Sequence, residues 1–309
     1  MNPGYIYLIL ATLFFSSMEV VLKTVAHDFH PVQLNCTRFL IGGLLIIPFA
    51  LRSMKKRNVH LDAPAFRKLA GLGFLGLVVS MLLYQFSILY APASVVSVLF
   101  SCNPILIIAF AAIILRTAIL PQHIIALVME FIGALVIIDP LHTTLDPTGV
   151  MLVLASAAMF ALYIVCGKKL CAQYSGLAVT CVCCLMGSAE MLLIIGLSNI
   201  PAVADFMRGV GLPMFADIPL FSGYSLDNIL PFLYICVFVT AGGYACHFMA
   251  VEATSPMQGS LVFFFKPILA PILAMIVLGE VIPWNMWLGI ILILIASLVS
   301  MMPSLRLHR

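Results

Sequence analysis

The chain contains two copies of one apolar segment, SVLFSCNPILIIAFAAIIL at residues 97–115 and SLVFFFKPILAPILAMIVL at residues 260–278. In register, Phe100 matches Phe263, and the triplet Pro-Ile-Leu recurs at 104–106 and 267–269. A proline inside a membrane helix removes a backbone donor and bends the helix, so a shared proline constrains both copies in the same way. The match therefore predicts an internally duplicated chain.

The duplication extends to the earlier part of each copy. Residues agree there at a slightly shorter offset: Gly4 with Gly149, Phe15 with Phe160, Lys23 with Lys168, and Gly42 with Gly187. These matches predict two repeats, residues 1–140 and 149–303. Because internal repeats are common in secondary transporters, a duplicated membrane protein is most simply a transporter.

The composition excludes a soluble protein. Hydrophobic residues make up 63% of the chain and charged residues 9%, whereas a soluble domain has about 25% charged residues. The net charge of +3 is small, and we expect no nucleic-acid partner. The nine cysteines lie mostly in apolar runs, where they pack as small hydrophobes. No nucleotide-binding or metal-binding motif is present, so the sequence predicts no cofactor and no metal.

Ten stretches of about 20 apolar residues are long enough to cross a bilayer. They are residues 4–26, 31–51, 69–90, 93–115, 121–139, 149–167, 176–198, 229–250, 256–279 and 283–302. The long connection at 199–228 contains several Pro, Gly and Asp residues and is predicted to be an exposed loop with a short surface helix. The fold class is therefore an all-α membrane protein with ten transmembrane helices.

Lysine and arginine set the orientation, because they concentrate in cytoplasmic loops. Most lie on one side if both termini are cytoplasmic: Arg52, Lys55, Lys56, Arg57, Arg67, Lys68, Arg116, Lys168, Lys169, Arg306 and Arg309. We therefore expect a multi-pass protein of the cell inner membrane with residues 199–228 outside the cytoplasm. Each repeat holds five spans, an odd number, so the second repeat runs through the bilayer inverted relative to the first.

With these features the chain resembles the drug/metabolite transporter superfamily, specifically its EamA-like ten-helix members. The resemblance covers nearly the whole chain and includes Pro31, Arg38 and Phe39 in the second span and Leu278-Gly279-Glu280 at the end of the ninth. The chain departs from the family pattern at Leu115-Arg116-Thr117, where Leu-Gly-Glu is common, and at Lys266. The resemblance implies export, exchange or uptake of small metabolites without ATP hydrolysis.

Ionisable side chains inside the spans are candidates for function, because each costs a few kcal/mol at the bilayer centre. Lys266 lies near the middle of the ninth span, and its repeat mate is Asn103; each directly precedes a proline. One interpretation is that Lys266 binds a substrate carboxylate or phosphate with Asn103 as a hydrogen-bonding partner. The other is that Lys266 forms a structural ion pair with a buried glutamate.

Four further charges are candidates for proton coupling or for a buried ion pair. Glu19 and Arg38 lie at similar depth on neighbouring helices and could pair, or Glu19 could take up a proton. Glu190 and Glu130 could neutralise Lys266 or carry a coupling proton. Glu130 alternatively lies at a subunit contact, which leaves a homodimer open.

Several polar and aromatic residues are predicted to line the substrate cavity between the halves. They are Gln85, Tyr84, His247, Tyr244 and Phe263. Three prolines, Pro104, Pro267 and Pro271, are candidates for flexible points of the fourth and ninth spans.

The sequence predicts an integral membrane transporter that is not an enzyme. It would move a small polar or amphipathic metabolite, amino-acid-like or another organic solute, by alternating access. Its partners are that substrate, membrane lipid, and a proton or counter-substrate. The alternative is a membrane-embedded enzyme acting on lipid or isoprenoid substrates. Such an enzyme needs clustered Asp, His or Arg at a membrane face, and the sequence offers only the basic loop at 52–68.

Overall fold

A computed structural model describes residues 3–118, 120–139, 145–254, 256–259 and 262–301. Within these ranges the secondary structure is helical, with no β-strand. The prediction of an all-α fold is confirmed. Ser260, Arg306, Arg309 and the predicted repeat ends at residues 1, 140 and 303 lie outside the described residues.

The α-helices follow one another with short connections. In chain order they are α1 (Pro3–Ser16), α2 (Met18–Thr24), α3 (Pro31–Arg57), α4 (Ala63–Gly73), α5 (Met81–Tyr90), α6 (Ala93–Phe100), α7 (Asn103–Ile114), α8 (Pro121–Ile138), α9 (Pro147–Tyr174), α10 (Gly176–Ser198), α11 (Pro201–Gly209), α12 (Ile229–Tyr234), α13 (Ala245–Ala253), α14 (Pro256–Gly259), α15 (Val262–Leu278) and α16 (Trp284–Met301).

Eight helices in the described part of the chain are long and apolar enough to span a membrane. They cover Gly4–Thr24, Pro31–Arg57, Ala63–Tyr90, Ala93–Ile114, Pro121–Ile138, Pro147–Tyr174, Gly176–Ser198 and Ile229–Ala253. Two further apolar helices, Lys266–Leu278 and Trp284–Ala296, are shorter. The chain is therefore a multi-pass membrane protein, while ten spans remain a prediction.

Large apolar side chains on the outer surface match this environment. Ile113, Met151, Leu193 and Ile276 are each more than 60% exposed. Hydrocarbon surrounds such residues without cost, whereas in water they would form large apolar patches.

The third and eighth predicted spans share an unusual backbone. A π-helical stretch, Phe74–Ser80, joins α4 to α5, and another, Ile235–Tyr244, joins α12 to α13. The fourth and ninth predicted spans differ from each other. The chain leaves helical geometry at Ser101–Cys102, just before Pro104, whereas α15 continues through Pro267 and Pro271.

Helix packing unites the two halves of the chain. The helix α3 packs along α10, α8 packs along α16, and α6 packs on α15. In addition, α5 packs on α9, and α1 packs on α13. Small residues permit the closest approaches: a Cβ on Gly289 would lie 2.7 Å from the carbonyl oxygen of Gly133, which is on α8.

The connection at 199–228 folds over the start of α3. It contains α11 and a short 3₁₀-helix, Pro213–Phe215, so the predicted surface helix is confirmed. The Gln33 side chain donates hydrogen bonds to the carbonyls of Leu220 and Ser222 at 3.1 and 2.7 Å. His30 Nδ1 accepts from the Val32 amide, and His30 Nε2 lies 2.9 Å from the Met214 carbonyl oxygen.

Candidate functional site

Lys266 lies in α15 with no exposed surface, and its ammonium group is ion-paired with Glu19 on α2. Both side chains are 0% exposed. The Nζ atom also lies 4.9 Å from the centre of the Phe100 ring and 5.9 Å from that of Phe263. Rings at these distances attract a desolvated cation. A fully buried cation is therefore stabilised by a carboxylate and by aromatic faces.

Glu19 also accepts a hydrogen bond from the hydroxyl of Tyr84 on α5. Three helices, α2, α5 and α15, thus converge on one carboxylate. Burying two charges costs several kcal/mol per ion, and the cost is offset only when geometry and added hydrogen bonds are favourable. The Tyr84 hydroxyl and the Lys266 ammonium supply that compensation on one Glu19 oxygen, Oε1. The other, Oε2, has no hydrogen-bond partner within the described part of the chain.

Aromatic rings from both halves surround this ion pair. The Phe100 ring centre lies 4.9 Å from that of Tyr84, 5.4 Å from that of Phe160 and 5.8 Å from that of Phe263. His247 continues the cluster, because its ring centre lies 5.8 Å from that of Phe263 and 6.2 Å from that of Phe160. The result is an apolar wall around a charged centre.

Buried polar atoms without a hydrogen-bond partner are unusual in proteins, and each is a position where a ligand or water can bind. Among the residues that the structure describes, such atoms include those of Gln33, Arg38, Gln85, Asn103, Tyr163, Glu190, Thr240 and His247. Both ring nitrogens of His247 and the Tyr163 hydroxyl border the aromatic cluster, since both rings contact Phe160.

Glu19 does not pair with Arg38, which was one of the alternatives that the sequence left open. Arg38 Nε instead donates to Asn35 Oδ1 at 2.8 Å, and the guanidinium carbon lies 4.5 Å from the Phe39 ring centre. Asn35 in turn donates to the Met81 carbonyl at 2.9 Å. The similar depth of Glu19 and Arg38 did not settle the pairing, because Lys266 from the second half of the chain reaches Glu19.

The other predicted site residues lie in different places. Asn103 is buried at the start of α7 and donates to the Phe100 carbonyl at 3.3 Å, across the Ser101–Cys102 break. Tyr244 packs edge-on against Phe15 and Phe39 beside the central cluster. Gln85 is buried one residue after Tyr84.

The carboxylates of Glu190 and Glu130 do not neutralise Lys266, whose described ion pair is with Glu19. Glu190 is half-buried on α10. Glu130 is buried on α8 and lines an otherwise apolar groove of about 320 Å³ that also borders Cys102 and Leu154.

Two lysines that the sequence register pairs make equivalent contacts. Lys23 Nζ donates to the carbonyls of Ile88 and Ala91 at the end of α5, at 2.5 and 3.2 Å. Lys168 Nζ donates to the carbonyls of Val251 and Thr254 at the end of α13, at 2.6 and 2.9 Å. Each lysine therefore ties a helix of its own half to the last turn of another helix.

A glutamate forms further hydrogen bonds near each of these two helix ends, the end of α5 and the end of α13. Glu280 accepts from the Ala93 and Ser94 amides at 2.8 and 3.0 Å, which caps the start of α6. Glu252 accepts from the Gly176 amide at the start of α10 and is ion-paired with Arg57. The sequence register had paired Lys23 with Lys168, but only the fold gave the two lysines a role.

The described residues contain no cluster of three or more His, Cys, Asp or Glu side chains that could hold a metal ion. The arrangement consists of an ion pair, aromatic rings, buried amides and an imidazole, groups of the kind that can bind organic solutes by charge, stacking and hydrogen bonds.

Comparison with known proteins matches the model of the EamA-like transporter family at residues 2–139 and again at 147–302. An uncharacterized transporter of Clostridium kluyveri is 32% identical over 308 residues, which cover 97% of this chain and 93% of that protein. An uncharacterized transporter of Archaeoglobus fulgidus is 24% identical over 276 residues, covering 89% and 90% of the two chains.

The fold also matches a solved crystal structure. The superposition has a TM-score of 0.71 at 18% identity and covers 100% of both chains. At this identity the likeness establishes the fold alone.

Proposed function

We infer the function from one premise: the chain belongs to the EamA-like transporter family, because the family model matches nearly all of it and the Clostridium kluyveri transporter is 32% identical. It is a multi-pass membrane protein of transporter type. We propose that it is a secondary transporter of ten spans, which carries a small organic solute across the cytoplasmic membrane by alternating access. Both termini would lie in the cytoplasm, and residues 199–228 outside it.

The pattern of helix contacts supports two inverted halves. If residues 149–303 repeat residues 1–140, then α10 corresponds to α3, and α16 corresponds to α8. The pairs α3–α10 and α8–α16 therefore each join equivalent helices. The contact of α5 with α9 corresponds to that of α13 with α1. A two-fold axis in the membrane plane accounts for all of these contacts.

One observation carries the proposal: a fully buried Lys266–Glu19 ion pair lies between the halves, within rings from both. A purely structural core gains nothing from such a pair, because apolar residues of the same volume are often equally or more stabilising. Buried charges within a membrane bundle are instead typical of substrate and ion pathways.

The chemistry of the pair favours a substrate that carries a carboxylate. Such a group can replace the Glu19 carboxylate beside Lys266, and a substrate amine can then bind Glu19. The rings of Phe100, Phe160 and Phe263 accept the apolar body of the solute. An amphipathic, amino-acid-like metabolite fits all three features.

In transport by alternating access, the helix bundle would open at one end at a time. The backbone contacts of Lys23 and Glu280, and those of Lys168 and Glu252, close opposite ends of the bundle in the proposed topology. Both sets are formed in this structure, and both central side chains are 0% exposed, as the proposal expects of an occluded conformation. Release of one set would expose the centre to one side.

Transport into proteoliposomes tests the proposal. Vesicles containing the purified chain are supplied with radiolabelled amino acids and other small carboxylates. We expect uptake of a member of this panel without chemical change, and at least a tenfold loss for Lys266→Met. The exposed Lys169→Met is the matched control and should retain uptake. Absence of uptake across the panel, or chemical conversion of the solute, contradicts the proposal.

Coupling to protons is tested by Glu19→Gln. If the displaced Glu19 carboxyl carries the coupling proton, uptake by the wild type depends on the pH gradient, and uptake by the variant does not. The measurement is initial uptake rate with and without an imposed gradient. An unchanged dependence in the variant removes Glu19 from coupling.

A further inference from the structure

A pocket of about 430 Å³ lies far from the central ion pair, among the ends of α1, α3, α10 and α13. Its polar lining comes from Tyr7, Ser53, Lys56, Arg57 and Glu252. Lys56 and Arg57 belong to the last turn of α3, in the basic segment that the charge distribution assigns to the cytoplasmic face. The pocket is thus open at the level where the membrane meets water.

The charges in the pocket leave one positive charge without a counterpart. Arg57 is ion-paired with Glu252, yet 39% of the Arg57 side chain stays exposed. Lys56 forms no ion pair with any residue that the structure describes. Two cations and one carboxylate give a formal charge of +1, which one negative charge would neutralise. The hydroxyls of Tyr7 and Ser53 add donors for oxygen atoms.

The surface beside the pocket favours a lipid over a soluble anion. Leu45, Phe49, Ser53 and Lys56 follow one another at spacings of four, four and three residues, so they share one face of α3. Leu45 and Phe49 are 43% and 56% exposed and face the hydrocarbon. An acyl chain can lie along these two residues while its headgroup reaches Lys56.

We propose that this pocket binds the phosphodiester group of an anionic phospholipid from the cytoplasmic leaflet. Lys56 and Arg57 hold the phosphate, Tyr7 and Ser53 donate hydrogen bonds to its oxygens, and the acyl chains follow Leu45 and Phe49. The single negative charge of phosphatidylglycerol matches the formal charge of the pocket.

Native mass spectrometry of the purified full-length chain tests the proposal. The protein is titrated with phosphatidylglycerol, with phosphatidylcholine, and with phosphatidylglycerol in the presence of inorganic phosphate. We expect one tightly bound phosphatidylglycerol, weaker binding of phosphatidylcholine, and no displacement by phosphate. Lys56→Gln should weaken phosphatidylglycerol binding about fivefold, because one basic residue near a membrane surface contributes about 1 kcal/mol.

Lys55→Gln is the matched control, because Lys55 precedes Lys56 in the same turn and does not line the pocket. Binding should persist in this control and in Lys56→Arg, which keeps the charge. Equal weakening by Lys55→Gln and Lys56→Gln would overturn the proposal, because it indicates a diffuse charge effect. Equal binding of the two lipids would overturn it as well. Displacement by inorganic phosphate would assign the pocket to a soluble anion instead.

Discussion

At the scale of single residues, the charges of Glu19 and Lys266 are tolerated in the core only as a pair. Glu19 and Lys266 are both fully buried, and each is the other's counter-ion. Removal of one partner leaves an uncompensated charge in an apolar environment, whereas removal of both leaves only shape and hydrogen bonds to adjust.

We therefore expect each single variant, Lys266→Met or Glu19→Gln, to lose more stability than the double variant. Lys266→Met should destabilise the folded protein by about 3 kcal/mol, and the double variant Glu19→Gln/Lys266→Met should recover most of that loss. The measurement is thermal unfolding in detergent, followed by the fluorescence of labelled cysteines. Additive effects of the two substitutions would show that the two side chains are energetically independent.

A second residue-scale feature fastens the loop at 199–228. His30 Nδ1 accepts from Val32, so the proton of the neutral ring is on Nε2, which donates to the Met214 carbonyl. Burial lowers the pKa of His30 below its usual value of 6.5, and the hydrogen bond to Met214 opposes this only in part. The folded loop therefore favours the neutral ring.

The lowered pKa of His30 determines how the stability of the loop at 199–228 changes with pH. Because the folded pKa is depressed, the stabilising contribution of His30 is present above about pH 6.5 and is lost as the pH falls toward the folded pKa. We expect faster hydrogen exchange of the Met214–Ala216 amides at pH 5.5 than at pH 7.5, after correction for intrinsic rates. His30→Ala should remove the difference, and the exposed His27→Ala should keep it. A difference that persists in His30→Ala would assign the pH effect to another group.

At the scale of elements, glycines set how closely helices pack. Gly133 on α8 and Gly289 on α16 face each other, and a Cβ on Gly289 would lie 2.7 Å from the Gly133 carbonyl oxygen and closer still to Ile137. These two helices have most of their contacts with each other. A side chain at this crossing must separate them.

Gly289→Val should therefore destabilise the protein by about 2 kcal/mol through overpacking. Gly196→Val is the matched control: Gly196 lies on α10, and no neighbouring helix in the described part of the chain comes within 4 Å of the position of its Cβ. Both substitutions put the same β-branched residue into a helix, so the cost of valine in helix propensity is the same in both variants. Melting temperatures in detergent measure the difference, and equal losses would mean that the crossing is not closely packed.

The helices could largely be predicted from the sequence, but the π-helical stretches and breaks within them could not. Apolar length placed the helices, because each must cross the same hydrocarbon thickness, but predicted and observed ends differ by up to seven residues, as at Tyr174 of α9. The sequence predicted neither of the π-helical stretches, Phe74–Ser80 and Ile235–Tyr244. Pro104, Pro267 and Pro271 looked alike in the sequence, yet the backbone breaks just before Pro104, whereas the described helix is continuous from Val262 through Pro267 and Pro271.

At the scale of the whole molecule, the proposed inverted topology makes a prediction about sidedness. A cysteine introduced in place of Lys55 or of Lys169, one at a time, should react with an impermeant maleimide from the cytoplasmic face only. A cysteine at Asp227, in the exposed loop, should react from the opposite face only. The wild-type chain supplies the background from native cysteines. Labelling of residues 55 and 169 from opposite faces would exclude two inverted five-helix halves.

The sequence by itself determined that this chain is a helical membrane protein of the EamA-like type, and it singled out Lys266 and Glu19. Composition, apolar length and repeated motifs are local properties, so they can be read without the fold. Tertiary structure alone decided which charges meet. Glu19 pairs with Lys266 rather than Arg38 because helices distant in sequence converge on it, and Lys23 and Lys168 gain their roles from helix ends that packing brings within reach.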